Sequence, residues 1–345
     1  MRPRPEPDAL KHPDAPVTVT VTGASYVREM APTPRCVILD DYQGVATSYA
    51  DWSTLPVEVE TVREHLDEDA TAAVLAGAEI VVLMRERTPL TRDLLDRLPD
   101  LRLVVTTGMR NAAIDLDACR ERGIPVCGTS SSKTTTAELT WALVLGLLRQ
   151  VGAESRSLAA GGWQTTVGAD LAGRTLGLLG LGSIGSRVAR VGAAFDMDVV
   201  AWSPHLTKER AADGGATLVG RDELFATADV LSIHLVLAAT TRGIVGAREL
   251  DLLRPSSYLV NTSRAGLVDT AALLRALDAR RLAGAAVDVF DTEPLPAGDP
   301  LRDHPRVLAT PHLGYVTQDN YRRFFAEAVA DVAAWLAGDP VRLLT

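Results

Sequence analysis

Four elements in the second half of the chain have residue types that suit chemistry on a small anionic molecule. The first is the glycine-rich run 180–185, of sequence GLGSIG, and the others are Arg264, Glu293 and His312. A glycine turn lets the backbone approach a phosphate-bearing ligand closely. A guanidinium can hold a carboxylate, and an imidazole paired with a carboxylate can move a proton near neutral pH. In this order the elements predict a phosphate-binding turn with three reactive side chains beside it.

The glycine-rich run has the local context of a dinucleotide-binding turn, because it follows an apolar strand-like segment, 175–179, and opens a helical one. The first two glycines let the backbone turn towards a pyrophosphate. The third lets strand and helix pack closely, and the helix N-terminus favours the anion. The residues expected to contact the cofactor here are Gly180, Gly182, Ser183, Ile184 and Gly185.

The sequence leaves the choice between NAD and NADP open. The next predicted strand, 198–202, ends in Ser203, where an acidic residue usually accepts hydrogen bonds from the adenosine ribose. A hydroxyl does not repel a 2′-phosphate, and His205, Lys208 and Arg210 offer positive charge nearby. Ser203 could equally bond the ribose hydroxyls of NAD. The prediction is therefore a contact between Ser203 and the ribose of either cofactor.

Arg264, Glu293 and His312 each follow an apolar run that predicts a strand. Parallel sheets place ligands at the carboxyl ends of their strands, so these side chains are expected beside the dinucleotide. Arg264 would hold and polarise a 2-oxo acid, and His312 would donate the proton in reduction and accept it in oxidation. Glu293 would fix the tautomer of the ring. The constellation predicts hydride transfer between a nicotinamide and a small 2-oxo or 2-hydroxy acid.

The segments around these residues alternate short apolar runs with helical stretches, which predicts βαβ units and parallel sheets of the α/β class. One series of strands spans 36–127, and a second, with six strands, spans 176–309. Residues 1–34 are rich in proline and polar residues and are predicted to be a leader, loosely packed or disordered. The last helix, about 318–336, could return to the first series.

Composition limits the function classes. With 345 residues, 47% of them hydrophobic, the chain is long enough for two cored domains. The net charge of −9 and the lack of a basic patch predict no nucleic-acid partner. Cys36, Cys119 and Cys127 form no metal or disulfide pattern, so neither a metal nor a disulfide is expected. No signal-like or membrane-length apolar stretch is present, which predicts a cytoplasmic protein with no membrane partner.

Four motifs in family order closely resemble the D-isomer-specific 2-hydroxy acid dehydrogenases. They are GLGSIG at 180–185, NTSRAG at 261–266, DVFDTEP at 288–294 and TPHLG at 310–314. The resemblance runs from about residue 35 to the C-terminus. It implies that Arg264 binds the substrate carboxylate and carbonyl, that Glu293 and His312 form the acid/base pair, and that Asp288 contacts the nicotinamide end of the cofactor.

The resemblance also implies a fold and further contacts. Two doubly wound parallel-sheet domains would flank a cleft: a split flavodoxin-like substrate domain, 35–136 with 318–345, and a Rossmann dinucleotide-binding domain, 137–317. Backbone amides of the loop at Gly108 and Met109 would help to hold the substrate carboxylate. The family usually forms homodimers through its cofactor domains. A reductase of glyoxylate or hydroxypyruvate type is the expected activity.

Three questions stay open at this point. Some family members sense a dinucleotide without significant turnover, although intact Arg264, Glu293 and His312 argue against that role here. Arg85 and Arg87 either line the cleft or form a solvated pair flanking Glu86. Tyr315 either faces the substrate or packs against the last helix.

Overall fold

The computed structural model describes residues 33–345, so all but the last two residues of the predicted leader, 1–34, lie outside the described residues. Two parallel sheets organise this region. The first has the order β2-β1-β3-β4-β5 and consists of β1 (Arg35–Ile38), β2 (Glu58–Thr61), β3 (Ile80–Leu83), β4 (Leu103–Thr106) and β5 (Val126–Gly128). The second has the order β12-β11-β10-β9-β6-β7-β8 and consists of β6 (Thr175–Leu179), β7 (Asp198–Trp202), β8 (Thr217–Leu218), β9 (Val230–Ile233), β10 (Tyr258–Asn261), β11 (Gly284–Val287) and β12 (Val307–Ala309).

Helices connect the strands and cover the sheets. They are α1 (Ala46–Tyr49), α2 (Glu68–Leu75), α3 (Arg92–Asp96), α4 (Leu116–Glu121), α5 (Thr135–Leu148), α6 (Val151–Ala159), α7 (Ser183–Ala194), α8 (Lys208–Asp213), α9 (Arg221–Thr227), α10 (Ala247–Leu252), α11 (Thr270–Asp278), α12 (Pro300–Asp303) and α13 (Gln318–Leu336). No helix in the described part of the chain has the length and apolar character needed to cross a membrane.

The predicted α/β class with two doubly wound parallel sheets is confirmed. The prediction of six strands in the second sheet is wrong, because a seventh strand, β8, lies at its edge. This strand has only two residues, which pair with Val200 and Ala201 of β7. Two residues are too few to produce a recognisable alternation in the sequence.

The last helix packs against the first sheet. On α13 the buried residues Tyr321, Phe324, Phe325 and Ala328 recur at helical spacing and share a core with β1, β3 and β4. We call the first sheet with the helices that cover it, α13 included, the first lobe. The second sheet and its helices form the second lobe, in which Trp141 of α5 packs into the core under β6 and β10.

Candidate active site

The glycine turn after β6 has the backbone geometry that the motif predicts. Gly180 has a φ of 105°, and a Cβ there would lie 2.7 Å from the carbonyl carbon of His234. A Cβ at Gly185 would collide with the carbonyl oxygen of Gly180. Gly182 is the N-cap of α7, and no side chain caps this helix N-terminus. A Cβ at Gly182 would project into open space. This uncapped helix N-terminus behind a side-chain-free turn fits the pyrophosphate of a dinucleotide.

Ser203 lies beside that turn. It directly follows β7 and is half-buried, and the N–H of Gly180 donates to the carbonyl of Trp202 over 2.9 Å. His205 on the same loop and Lys208 at the start of α8 are exposed, and the guanidinium of Arg210 donates to the His205 carbonyl over 3.2 Å. The carboxyl end of β7 therefore has the Ser203 hydroxyl and basic side chains nearby.

Arg264, Glu293 and His312 converge because they follow three neighbouring strands. The last residues of β10, β11 and β12 are register partners, so the loops after them leave one edge of the sheet together. All three side chains line one cavity of about 370 Å³. The first lobe contributes to the same cavity with His65, Arg85, Glu86, Arg87 and Pro89. The convergence expected from the sequence is present, and the cavity lies between the lobes.

His312 and Glu293 form a hydrogen-bonded pair, with Nδ1 of the ring 2.7 Å from Oε2 of the carboxylate. The other carboxylate oxygen accepts the N–H of Phe290 over 2.9 Å. Burial acts to raise the pKa of Glu293, but the bond and charge of His312, the Phe290 amide and the charge of Arg87 outweigh it, so the pKa lies below its usual value. An ionised Glu293 keeps the Nδ1 proton in place and leaves Nε2 for chemistry.

Asp288 shapes the loop that presents His312. Its Oδ1 accepts from the Thr310 hydroxyl at 2.6 Å and the Leu313 N–H at 2.7 Å, and its Oδ2 accepts from the Gly314 N–H at 2.9 Å. Between these anchors His312 has a φ of 55°, a left-handed conformation that is costly for a residue with a Cβ. Burial raises the pKa of Asp288. The aspartate thus holds the imidazole in a strained but defined position.

Arg264 is held by its own loop and meets a carboxylate of the first lobe. Its Nη1 donates to the Ser263 carbonyl over 2.8 Å, while Asn261 donates to the Arg264 carbonyl over 3.0 Å. Its Nη2 lies 3.0 Å from Oε2 of Glu86. The group predicted to hold a substrate carboxylate therefore already binds a carboxylate from across the cavity.

Arg87 crosses the cavity to the proton-transfer pair. Its side chain is only 8% exposed and forms an ion pair with Glu293. It also donates to the hydroxyl of Tyr315. The alternative of a solvated arginine pair is therefore wrong for Arg87. Tyr315 packs edge-on against the His312 ring, with 5.5 Å between ring centroids, and also contacts Phe324 of α13.

Arg85 and the Gly108 loop pack against each other. Burial lowers the pKa of Arg85, whose Nη1 donates to the Thr107 carbonyl over 2.9 Å. The Gly108 N–H donates to the Thr129 hydroxyl over 3.0 Å, and Met109 is 44% exposed. In this arrangement the Gly108 amide does not have a free N–H for the predicted bond to a substrate carboxylate, because it already donates to Thr129.

Three contacts of the site escaped the sequence reasoning: the Glu86–Arg264 pair, the Arg87–Glu293 pair and the anchoring of the His312 loop by Asp288. The first two join residues 178 and 206 positions apart. The only available sequence signal was the position of Arg85–Arg87 directly after a strand. Within residues 33–345 no group of three or more His, Cys, Asp or Glu residues could hold a metal ion.

Comparison with known proteins agrees with this geometry. Residues 141–314 match the family model described as D-isomer specific 2-hydroxyacid dehydrogenase, NAD binding domain. The D-3-phosphoglycerate dehydrogenase of Bacillus subtilis (strain 168) is 36% identical over 263 residues, 75% of this chain and 50% of that protein. The glyoxylate reductase of Aeropyrum pernix is 37% identical over 256 residues, 71% of this chain and 76% of that protein.

A solved structure extends the similarity to both lobes. The phosphoglycerate oxidoreductase of Vibrio cholerae superposes with a TM-score of 0.85 at 38% identity, covering 88% of this chain and 99% of that one. The chain spans about half the length of the Bacillus subtilis relative. With its glycine turn, its Arg-Glu-His constellation and these matches, the chain belongs to the D-isomer-specific 2-hydroxyacid dehydrogenase family.

Proposed function

We propose that this protein transfers a hydride between a nicotinamide dinucleotide and a small 2-oxo or 2-hydroxy acid. The observation that carries the proposal is the His312–Glu293 pair at 2.7 Å, which lines one cavity with Arg264 and lies in the lobe that carries the glycine turn. A protein that only sensed a dinucleotide would have no use for a proton-transfer pair in this place. The relatives named D-3-phosphoglycerate dehydrogenase and glyoxylate reductase support the same class of reaction.

The roles of the residues follow from the contacts. Arg264 binds the substrate carboxylate in place of Glu86 and polarises the neighbouring carbonyl. When bound, a reduced nicotinamide supplies the hydride for the carbonyl carbon. His312 gives the carbonyl oxygen a proton from Nε2, and Glu293 stabilises the ring charge and fixes Nδ1–H. In the reverse direction Nε2 takes the hydroxyl proton.

The cofactor site accepts the 2′-phosphorylated form in this proposal, because Ser203 supplies a hydroxyl where a carboxylate would repel a phosphate. The test is absorbance at 340 nm with NADH and NADPH separately, against 2-oxo acids led by glyoxylate and hydroxypyruvate. Turnover supports the proposed reaction, and the ratio of the two rates measures the cofactor preference. Dinucleotide binding without turnover on any acid would instead favour a sensor.

Removing the Glu86 carboxylate should strengthen substrate binding. Because Glu86 competes for Arg264, we expect Glu86→Gln to lower KM for a 2-oxo acid about two- to fivefold, the size of a partly exposed ion pair. We expect kcat to change by less than about twofold, since the proton-transfer pair is untouched. Steady-state kinetics measure both. Glu79→Gln is the matched control, since Glu79 is equally exposed but pairs with Arg102. A raised KM in Glu86→Gln would mean that Glu86 contacts the substrate.

We propose further that the protein forms a homodimer through α6 and the loop after it. Four large apolar side chains are exposed within this short segment: Val151 by 55%, Leu158 by 59%, Trp163 by 75% and Val167 by 98%. An exposed cluster of this kind is a typical protein contact surface. A second copy of the chain is the proposed occupant, as the resemblance to family homodimers implies.

Negative charges introduced into that segment should prevent two copies of the chain from forming the dimer. We expect the double variant Trp163→Asp/Val167→Asp to sediment as a monomer of about half the wild-type mass, because two carboxylates would be buried without partners. Analytical ultracentrifugation gives the mass. Val341→Asp alters an exposed valine outside the segment and should leave the mass unchanged. A wild-type monomer would refute the proposal.

A further inference from the structure

Arg87 contacts the proton-transfer pair from the opposite lobe. It lies in the loop after β3, whereas Glu293 and His312 follow β11 and β12. Its Nη1 pairs with Oε2 of Glu293, and its Nη2 lies 3.4 Å from the carbonyl oxygen of His312. Its Nε and Nη2 donate to the hydroxyl of Tyr315 over 3.0 and 2.9 Å. One guanidinium thus contacts three residues in the segments that follow β11 and β12.

The contact fixes the carboxylate rather than merely neutralising it. Oε2 of Glu293 accepts from both Arg87 and Nδ1 of His312, and Oε1 accepts from the Phe290 N–H. A carboxylate held by three donors in different directions cannot rotate away from the imidazole. The planar guanidinium is itself held, because its second edge bonds to Tyr315.

The same contact sets the charge around the imidazole. The charged and titratable groups that surround the pair come from both lobes and the segment between them. Asp288, Asp291, Arg264 and Arg302 lie in the second lobe, Tyr315 lies between β12 and α13, and the first lobe contributes Tyr42, His65, Arg85, Glu86, Arg87 and Tyr321. Arg87 is the cation that touches the pair directly. Burial acts to lower the pKa of Arg87, but Tyr315 and Glu293 outweigh it and raise the pKa, so the guanidinium is charged.

We propose that Arg87 is a positioning residue for proton transfer: the first lobe inserts its guanidinium between Glu293 and Tyr315 and thereby holds the His312–Glu293 pair in its working geometry. This inference rests on the proposed function, since it assumes that the pair moves the proton. It also assigns Tyr315, which anchors the guanidinium and packs on the His312 ring, a supporting role.

The alternative role of Arg87, direct binding of a substrate anion, fits the contacts less well. Nε, Nη1 and Nη2 each already donate to Tyr315 or Glu293, and the side chain is 8% exposed. Arg264, at 35% exposure, has only the exchangeable Glu86 opposite it. Substrate capture is therefore assigned to Arg264 and alignment to Arg87.

The two roles predict different kinetics. We expect Arg87→Met to lower kcat at least about tenfold with KM changed by less than about threefold, since misalignment affects the transition state more than substrate binding. Arg87→Lys should recover part of the loss, and Tyr315→Phe should show a smaller one. Arg92→Met is the matched control, because Arg92 makes an exposed pair with Glu121, and should behave as wild type. A raised KM at unchanged kcat in Arg87→Met would overturn the proposal.

Two further readouts separate alignment from a general structural effect. Millimolar methylguanidinium should restore part of the kcat of Arg87→Ala but leave Arg92→Ala unaffected. In Arg87→Met the acid limb of the kcat profile for hydroxy-acid oxidation should move to higher pH, because the pair loses a cation that favours ionised Glu293 and a neutral ring. No rescue together with an unmoved profile would contradict the proposal.

A spectroscopic test does not depend on turnover. The chain has six histidines, so a long-range ¹⁵N–¹H spectrum with labelled histidine resolves His312, assigned by its loss in His312→Gln. We expect the neutral ring to carry its proton on Nδ1 in the wild type and to show both tautomers in Arg87→Met. Identical spectra would overturn the inference even if no acid proved to be a substrate. If no acid proved to be a substrate, a single Nδ1–H tautomer in the wild type together with mixed tautomers in Arg87→Met would still support the alignment of the pair by Arg87.

Discussion

Replacing His312 by alanine is expected to lower kcat by at least about a hundredfold while the affinity for the dinucleotide stays within about threefold of wild type. A positioned general acid contributes a factor of that size. The glycine turn belongs to a different part of the second lobe, so the dinucleotide site should be intact. Steady-state kinetics give kcat, and fluorescence titration with the dinucleotide gives Kd.

A second histidine near the same strand is the control for this prediction. His304 precedes β12, at the end opposite to His312, and faces Asp278. His304→Ala should keep both kcat and the dinucleotide Kd. Glu293→Gln should retain the size of the side chain but lose the charge, and so should lower kcat less than His312→Ala does. Wild-type turnover in His312→Ala would remove His312 from the mechanism.

The convergence of Arg264, Glu293 and His312 could be predicted because it depends on local rules. Each follows an apolar run, parallel strands end at a common edge, and β10, β11 and β12 are neighbours in register. The glycine turn is equally recognisable, since its motif is contained within six residues. The end of β11 is not marked in the sequence, because Val289 and Phe290 continue its apolar run into the buried loop that follows.

The contacts across the cavity could not be predicted in this way. Whether Arg87 is solvated or buried depends on how the two lobes meet and on the rotamer of its long side chain. Neither factor produces a periodic pattern in the sequence. Glu86 and Arg87 are adjacent, yet one pairs with Arg264 and the other with Glu293. Only the placement of the β3 loop against the second lobe assigns these partners.

Among the three turn glycines, Gly182 offers the clearest test of cofactor binding. A Cβ there meets nothing within 4 Å and its φ of −85° suits any residue, so Gly182→Val should fold normally. The new side chain would project in front of the uncapped N-terminus of α7, where the pyrophosphate is proposed to lie. We expect dinucleotide affinity to fall at least about tenfold, equivalent to roughly 1.4 kcal/mol or more. Fluorescence titration measures the Kd of the dinucleotide, and thermal unfolding measures Tm as the check on folding.

Two other glycines separate cofactor binding from folding. Gly185→Val should lower Tm, because its Cβ would collide with the Gly180 carbonyl, and its loss of binding would then reflect a damaged turn. Gly298→Val also projects into open space but lies outside the turn, so it should change neither Tm nor Kd. If Gly182→Val bound the dinucleotide as tightly as Gly298→Val does, the pyrophosphate could not lie at the α7 N-terminus. A selective loss in Gly182→Val would place it there, because in that variant only the space in front of the helix has changed.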